Sequence, residues 1–408
     1  MLESASRLHL SLVCARGKPV ADILAHSVSL PLIIDHYFNN HGITAEDEER
    51  IALALQHRDR VRRVRLGGSA PILQKLIAFL DGEFSILEYL IITPHWGYFE
   101  GNWKLPETFR APHLRHLFLT SADISIGSPL LTTTTSLVNL SLDSIPASAY
   151  FNPNTLLQRV SLMSQLEILG IYFRPHLETQ LLHTSIMTRV TLPNLRCLGF
   201  KGDNAYLEAL LPHVTLPLLE KLKVYFFYQS TYSIPHLRQF MSTAKNLRPS
   251  TITLAFHTHC VEVIAYPHEG AMSNFLLSLS TTKLDRQVAS ALQVLQTLRV
   301  TFFTVEHLTL KHDGRTISSP SRIAPQADRT QWRELLRLFV NVKTLIVNNR
   351  LVGQLSGALQ PGTGESPTEL LPELQELSCP VAAYSVDAFT LFIDAREKSG
   401  HPVAMIHP

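Results

Sequence analysis

Hydrophobic residues return along this chain in one fixed spacing. In "APHLRHLFLTSADI", residues 111–124, Leu114, Leu117 and Leu119 stand at positions one, four and six, with His116 and Phe118 at positions three and five. The same spacing is met at Val61/Val64/Leu66, Leu87/Leu90/Ile92, Leu137/Leu140/Leu142, Leu166/Leu169/Ile171, Leu195/Leu198/Phe200 and Leu219/Leu222/Val224. Further copies are Val305/Leu308/Leu310, Val342/Leu345/Val347 and Leu374/Leu377/Cys379, with a degenerate one around Ile252 and Leu254 in "TITLAF". Positions four and six lie two residues apart, the period of a strand with one buried face. Each copy is therefore predicted to be a short strand that sends its apolar side chains into a core.

The first motif positions at 61, 87, 114, 137, 166, 195 and 219 follow one another at 26, 27, 23, 29, 29 and 24 residues. That interval is close to the ~20–29 residues of leucine-rich repeats. Between the strands, "AEDEERIALALQHRDR", "PILQKLIAFLDGEF", "NAYLEALLPHV", "PHLRQFMSTAKN" and "RTQWRELLRLF" have helical periodicity, and Thr44, Pro71 and Pro235 are start signals. A strand followed by a helix that returns to the next parallel strand is one turn of a stacked array. The expected fold is α/β: an irregular leucine-rich-repeat-like solenoid, a horseshoe or arc, with a parallel sheet on one face and helices on the other. Its irregularity is visible at the ninth motif position, where a regular repeat places Asn; here it reads Ala122, Ile145, Arg174, Asp203, Phe227 and Asp313.

Residues 1–29 are expected to form an N-terminal cap, residues 30–380 the solenoid, and residues 381–408 a capping helix and tail. The spacing fails near 260–300, where "HCVEVIAYPHEG" and "NFLLSLSTT" read as extended segments compatible with a hairpin and "LDRQVASALQVLQTLRV" as a long helix, together either an irregular insertion or one badly drifted repeat. "HDGRTISSPSRIAPQADRT" and "QPGTGESPTE" read as polar loops.

Composition narrows the classes. With 45% hydrophobic and 17% charged residues the chain is not disordered, and 36 basic against 34 acidic residues, net +2, give no global pull toward nucleic acid or an anionic membrane. The densest basic stretch, "RDRVRRVRL" with Arg58, Arg60, Arg62, Arg63 and Arg65, lacks interleaved aromatic rings and is expected to be a solvated strand edge. Four isolated cysteines without a C-x-x-C pair fit a reducing compartment. The N-terminal "RLHLSLVCARG" is a poor secretory signal and no apolar run approaches the ~20 residues of a membrane span, so a cytoplasmic or nuclear location is expected and the Asn139-Leu140-Ser141 sequon is expected to stay unmodified.

The chain resembles the F-box/leucine-rich-repeat-like proteins of mushroom-forming fungi. The resemblance spans about residues 8 to 380 and is carried by "SLPLIIDH", "AEDEERI", "HRDRVRRVRL", "LPETFRAPHLRHLFL", "IGSPLLTT", "LLPHVTLPLLEKL", "FMSTAKNL", "DRTQWRELLRLFVNVKTL" and "LLPELQELS". In that family a helical F-box ahead of the repeats docks a Skp1-like adaptor of a cullin ubiquitin ligase. This sequence has no L-P-x-E-[IL] start at its N-terminus, and "LPELQEL", Leu371 to Leu377, lies on a repeat strand. The resemblance thus implies the substrate-recognition half and a protein partner and does not extend to the adaptor contact, or it implies a drifted relative acting as a scaffold without a ligase role.

The sequence points away from an enzyme: no Walker A loop, G-x-S-x-G, H-E-x-x-H or G-x-G-x-x-G is present, and no cofactor is expected. "FHTHC" offers His257, His259 and Cys260, the two histidines sharing a face if the segment is a strand, but nothing nearby completes a tetrahedral set and no metal is expected. Binding residues follow from the motif itself, since positions three and five must face away from the core. They are Arg63 and Arg65, Tyr89 and Ile91, His116 and Phe118, Asn139 and Ser141, Ile168 and Gly170, Cys197 and Gly199, and Lys221 and Lys223. Tyr89, Ile91, Phe118 and Ile168 make an apolar zone between basic ends, the mark of a partner site. A second candidate is "TPHWGYFEGNWKLPE", with Trp96, Tyr98, Phe99 and Trp103, residue types enriched where interfaces are strongest. Trp332, within a helical pattern, is expected in the core.

Overall fold

Alternation of apolar and polar residues becomes strand wherever the motif occurs, because only an extended backbone puts positions four and six on one side. The computed structural model describes residues 12–14, 24, 30–37, 43–94, 102–175, 189–281, 283–312, 328–362, 365–379 and 386–406. The chain is mixed α/β with a large, mostly parallel sheet and helices, and it divides into two compact units: Met1–Phe200 with His213–Leu218, and Lys201–Pro212 with Leu219–Pro408.

Unit 1 alternates strands with helices: β1 (Leu12–Cys14), β2 (Leu32–His36), α1 (Ala45–Leu55), β3 (Val61–Gly68), α2 (Ala70–Ile77), β4 (Tyr89–Pro94), β5 (His116–Thr120), α3 (Pro129–Thr133), β6 (Asn139–Ile145), α4 (Pro153–Val160) and β7 (Ile168–Phe173). β1 to β7 pair in chain order and in parallel. Then come β8 (Val190–Thr191), β9 (Cys197–Gly202), whose last two residues belong to unit 2, and β10 (Val214–Thr215); β8 and β10 form a separate two-stranded parallel sheet. The register aligns the motif: Val64, Leu90, Leu117, Leu140 and Leu169 stand side by side, as do Leu66, Ile92, Leu119, Leu142 and Ile171, and all are buried. Each such side chain withdrawn from water contributes about 1.5–3 kcal/mol. A one-residue slip would expose both rows at once, so the apolar pattern fixes the register.

The strand starts share one hydrogen-bond device. The Glu88 carbonyl accepts the amides of Arg115 (2.9 Å) and His116 (3.0 Å); the Arg115 carbonyl accepts those of Val138 (2.8 Å) and Asn139 (3.0 Å); the Val138 carbonyl accepts those of Glu167 (2.8 Å) and Ile168 (3.1 Å). A small polar side chain directly before the first motif position adds a second rung: Ser136 donates to the Leu114 carbonyl (3.2 Å) and Asn194 to the Ser164 carbonyl (2.9 Å).

The helices begin where the sequence marks them. Thr44 and Asp47 form a capping box, the Asp47 amide donating to the Thr44 hydroxyl at 3.1 Å and the Thr44 amide to the Asp47 carboxylate at 3.2 Å. Asn152 accepts from the Thr155 amide at 2.8 Å, and Pro71 stands in the first turn of α2.

Unit 2 contains α5 (Asn204–Leu210), β11 (Lys221–Phe226), α6 (Pro235–Thr243), β12 (Thr251–Phe256), β13 (Cys260–Tyr266), β14 (Phe275–Ser280), α7 (Leu284–Thr297), β15 (His307–His312), α8 (Arg329–Leu336), β16 (Thr344–Val347), α9 (Val352–Leu359), β17 (Glu376–Ser378), α10 (Val386–Lys398) and β18 (Ala404–Ile406). Its strand order is β11-β14-β13-β12-β15-β16-β17-β18. β13 runs antiparallel to both its neighbours, so the hairpin expected of the two extended segments is present as β13 and β14, and β12 extends it into a three-stranded meander. β12, the "TITLAF" copy, lies in parallel beside β15, while β14 takes the place beside β11.

The doubled acceptor returns here. The Ser250, Glu306 and Lys343 carbonyls take the amide pairs Glu306/His307, Lys343/Thr344 and Gln375/Glu376. The side-chain rung returns in Thr304 to the Pro249 carbonyl (2.7 Å) and Asn341 to that of Phe303 (2.7 Å). Residues 404–406, expected as tail, form a strand parallel to β17, a correction that follows from the apolar "AMI" completing the sheet edge. Trp332 is buried on α8, its ring 5.3 Å from that of Phe256.

Candidate partner-binding surface

On unit 1 the residues between the leucines form two rows across the strands. Arg63, Tyr89, His116, Asn139 and Ile168 are successive neighbours in one, and Arg65, Ile91, Phe118, Ser141 and Gly170 in the other. Adjacent strands lie about 4.8 Å apart, which brings these side chains into mutual contact. Ile168 is 40% exposed; Arg63, Arg65, Tyr89, Ile91, His116, Phe118 and Asn139 are half-buried, and Ser141 and Gly170 are buried.

The burial at Gly170 identifies a residue the motif did not. Tyr172 occupies the next outward position of β7, and its ring crosses the sheet face over the glycines. A Cβ at Gly170 would stand 2.8 Å from Tyr172 Cε2 and one at Gly199 2.7 Å from Tyr172 Cζ. Two side-chain-free outward positions on neighbouring strands make the berth for that ring. The sequence signal was present in "LGIYF" and "CLGF", where a tyrosine follows one glycine at strand spacing and a second glycine falls at the matching motif position.

The basic end is partly neutralised. Arg65 Nη1 is 2.9 Å from Asp35 Oδ2, and its guanidinium also lies over the Tyr37 ring at 4.9 Å. Arg63 stacks on Tyr89, Cζ 4.2 Å from the ring centroid, and the Tyr89 and His116 rings are 5.3 Å apart. A guanidinium over an aromatic face keeps its charge available to a partner while losing side-chain freedom. Burial holds the His116 imidazole below its ordinary value of 6.5, helped by Arg115 and Arg63 and opposed by Glu167 and Glu88. The ring is therefore neutral near pH 7. In the rest of the basic stretch, Arg58 reaches Asp81 (3.9 Å), Arg62 reaches Glu88 (3.0 Å) and Arg60 Nε donates to the Leu30 carbonyl (3.2 Å).

The tryptophan loop divides. Trp96, Tyr98 and Phe99 lie outside the described residues. Trp103 is 0% exposed, and its indole N–H donates to the Thr120 carbonyl at 2.9 Å. It bridges in parallel to Ala122 and takes the Asp123 amide on its own carbonyl at 2.8 Å. Trp103 is thus a core residue and leaves the list of surface candidates; a large ring with one donor is buried where a carbonyl is at hand.

His257 and His259 fall in the turn between β12 and β13, so they do not share a strand face as expected. His257 Nε2 is 3.5 Å from Glu262 Oε2, and burial pushes the Cys260 thiol up, so that thiol is a poor nucleophile. Among the described residues no cluster of three His, Cys, Asp or Glu side chains could hold a metal ion, and no helix is long and apolar enough to cross a membrane. Comparison of the chain with protein-family models and with curated proteins finds no match.

Proposed function

We propose that the chain is a protein-binding module of the leucine-rich-repeat kind, a solenoid similar to the substrate-recognition half of an F-box protein, without catalytic activity of its own. The observation that carries this reading is the outward double row of unit 1: an arginine–tyrosine–histidine stack, with Ile168 beyond Asn139 in the same row and Ile91 and Phe118 in the row beside it, on strands whose motif side chains at positions four and six are buried. The repeated doubled acceptor at successive strand starts supports a repeat array. Aromatic and aliphatic side chains pre-ordered on strands bind at low entropic cost, and a face spread over five strands suits a protein surface better than a small molecule.

The test is quantitative affinity capture with the parent chain and Phe118→Asp. A charge in the middle of the row should remove the bound partner while leaving the thermal unfolding unchanged. A partner retained in full by the folded variant would reject this face.

A further inference from the structure

We propose that the β11 end of unit 2 binds an extended acidic segment of a protein partner through Lys201, Lys221 and Lys223. This goes beyond the reading of unit 1 and does not depend on it. Lys221 and Lys223 alternate with the buried Leu222 and Val224, so both project from the exposed face of β11, with Tyr225 next in line. Lys201 occupies the corresponding outward position at the end of β9: the Phe227 amide donates to the Gly202 carbonyl at 3.1 Å, which sets Lys201 beside Tyr225.

All three lysines are half-exposed, and among the described residues none has a carboxylate in ion-pair reach. Three other lysines are paired, Lys75 with Glu48 (3.6 Å), Lys104 with Asp123 (3.1 Å) and Lys343 with Glu306 (3.0 Å); what sets Lys201, Lys221 and Lys223 apart is that they share one face of two neighbouring strands. Three uncompensated cations on one face repel one another, and that repulsion is relieved when an anionic partner arrives. Cross-strand from Lys223 stands Leu276, and from Tyr225 stands Ser278, followed by Glu262, which is in contact with His257. The positive patch therefore ends within two strands and borders a mixed, hydrogen-bonding surface.

The spacing selects the ligand's form. Lys221 and Lys223 are two residues apart on a strand, about 6.7 Å, which is the repeat of alternate side chains on any extended chain. Carboxylates at every second residue of a partner segment would meet them in register, with the intervening residues turned away. Nucleic acid would match the charge, but a single tyrosine on β11, Tyr225, is a poor stacking platform for successive bases.

A fluorescein-labelled peptide of alternating glutamate and alanine, titrated at about 0.15 M salt, tests the proposal by anisotropy. Binding is expected to weaken at least ~10-fold in Lys221→Glu/Lys223→Glu, to persist in Lys221→Arg/Lys223→Arg, and to be absent for the lysine–alanine counterpart. Phe118→Asp should leave this binding unchanged, which separates its outcome from that of the unit 1 face. Equal affinity of the charge-reversed variant and the parent, no binding at this salt, loss of binding in Phe118→Asp, or displacement of the peptide by an equal concentration of a thymidine dodecamer would each overturn it.

Discussion

Replacing Trp103 separates a core role from a surface role in one residue. The ring is fully buried and its N–H is the donor to the Thr120 carbonyl at 2.9 Å. Trp103→Phe keeps an aromatic ring but leaves that carbonyl without its partner, a cost of about 1–3 kcal/mol. Trp103→Ala adds a cavity, and large-to-small changes of this size cost about 3–5 kcal/mol. For a unit of this size each kcal/mol lowers the melting midpoint by about 2–4 °C, so the alanine variant should melt about 6–20 °C below the parent and the phenylalanine variant about 2–12 °C below. Circular dichroism followed on heating reads both without relying on tryptophan emission. If Trp103→Ala melted within about 1 °C of the parent and yet lost a bound partner, Trp103 would be a surface anchor and the core assignment would fall.

Three further outcomes follow from local geometry. Thr44→Ala breaks the capping box of α1 and should cost about 0.5–2 kcal/mol in urea unfolding, with no change in slope. The His116 imidazole should titrate below 6.5 by NMR, and Arg63→Gln should move its midpoint upward, because a cation that repels the protonated ring is gone. Since the unfolded chain then takes the proton first, His116 lowers stability as pH falls from 6.5 through its depressed folded value. Glu365 works on the acid side: the Gly362 amide, with Arg333, Arg337 and Arg329, holds its carboxyl below 4.5. Its contribution is complete above 4.5 and is lost as pH falls through the lowered value, so Glu365→Gln should flatten that part of the stability profile measured by urea titration.

The strands were legible in the sequence because a buried-face period of two leaves few alternatives for Leu117 and Leu119 or for Leu140 and Leu142. Periodicity is silent on direction, however. β13 alternates buried and half-buried residues just as the parallel strands do, so the hairpin was legible only from the failed spacing, and the antiparallel pairing of β12 with β13 and the displacement of β12 to the side of β15 could not be read from periodicity. α9 was hidden by Gly353 and Gly357, each about 1 kcal/mol worse than alanine in a helix interior, and tertiary packing of Leu355 and Leu359 overrides them.

On the candidate surface, the outward rows came directly from the motif, while Tyr172 depended on two glycines lying side by side, a relation that exists only once the register is known. Trp103 misled for the opposite reason: composition marks a tryptophan as an interface residue, and only the nearby Thr120 carbonyl decides that it is buried.

The most direct measurement is photocrosslinking from single positions with p-benzoylphenylalanine. Placed at Ile91, Phe118 or Ile168, on the outward rows, the probe should join the chain to one and the same protein. Placed at the exposed Phe79 or Leu162, in the connections that lead from helix to strand, it should join none. Crosslinks confined to positions 79 and 162, or none from the three row positions, would contradict the account.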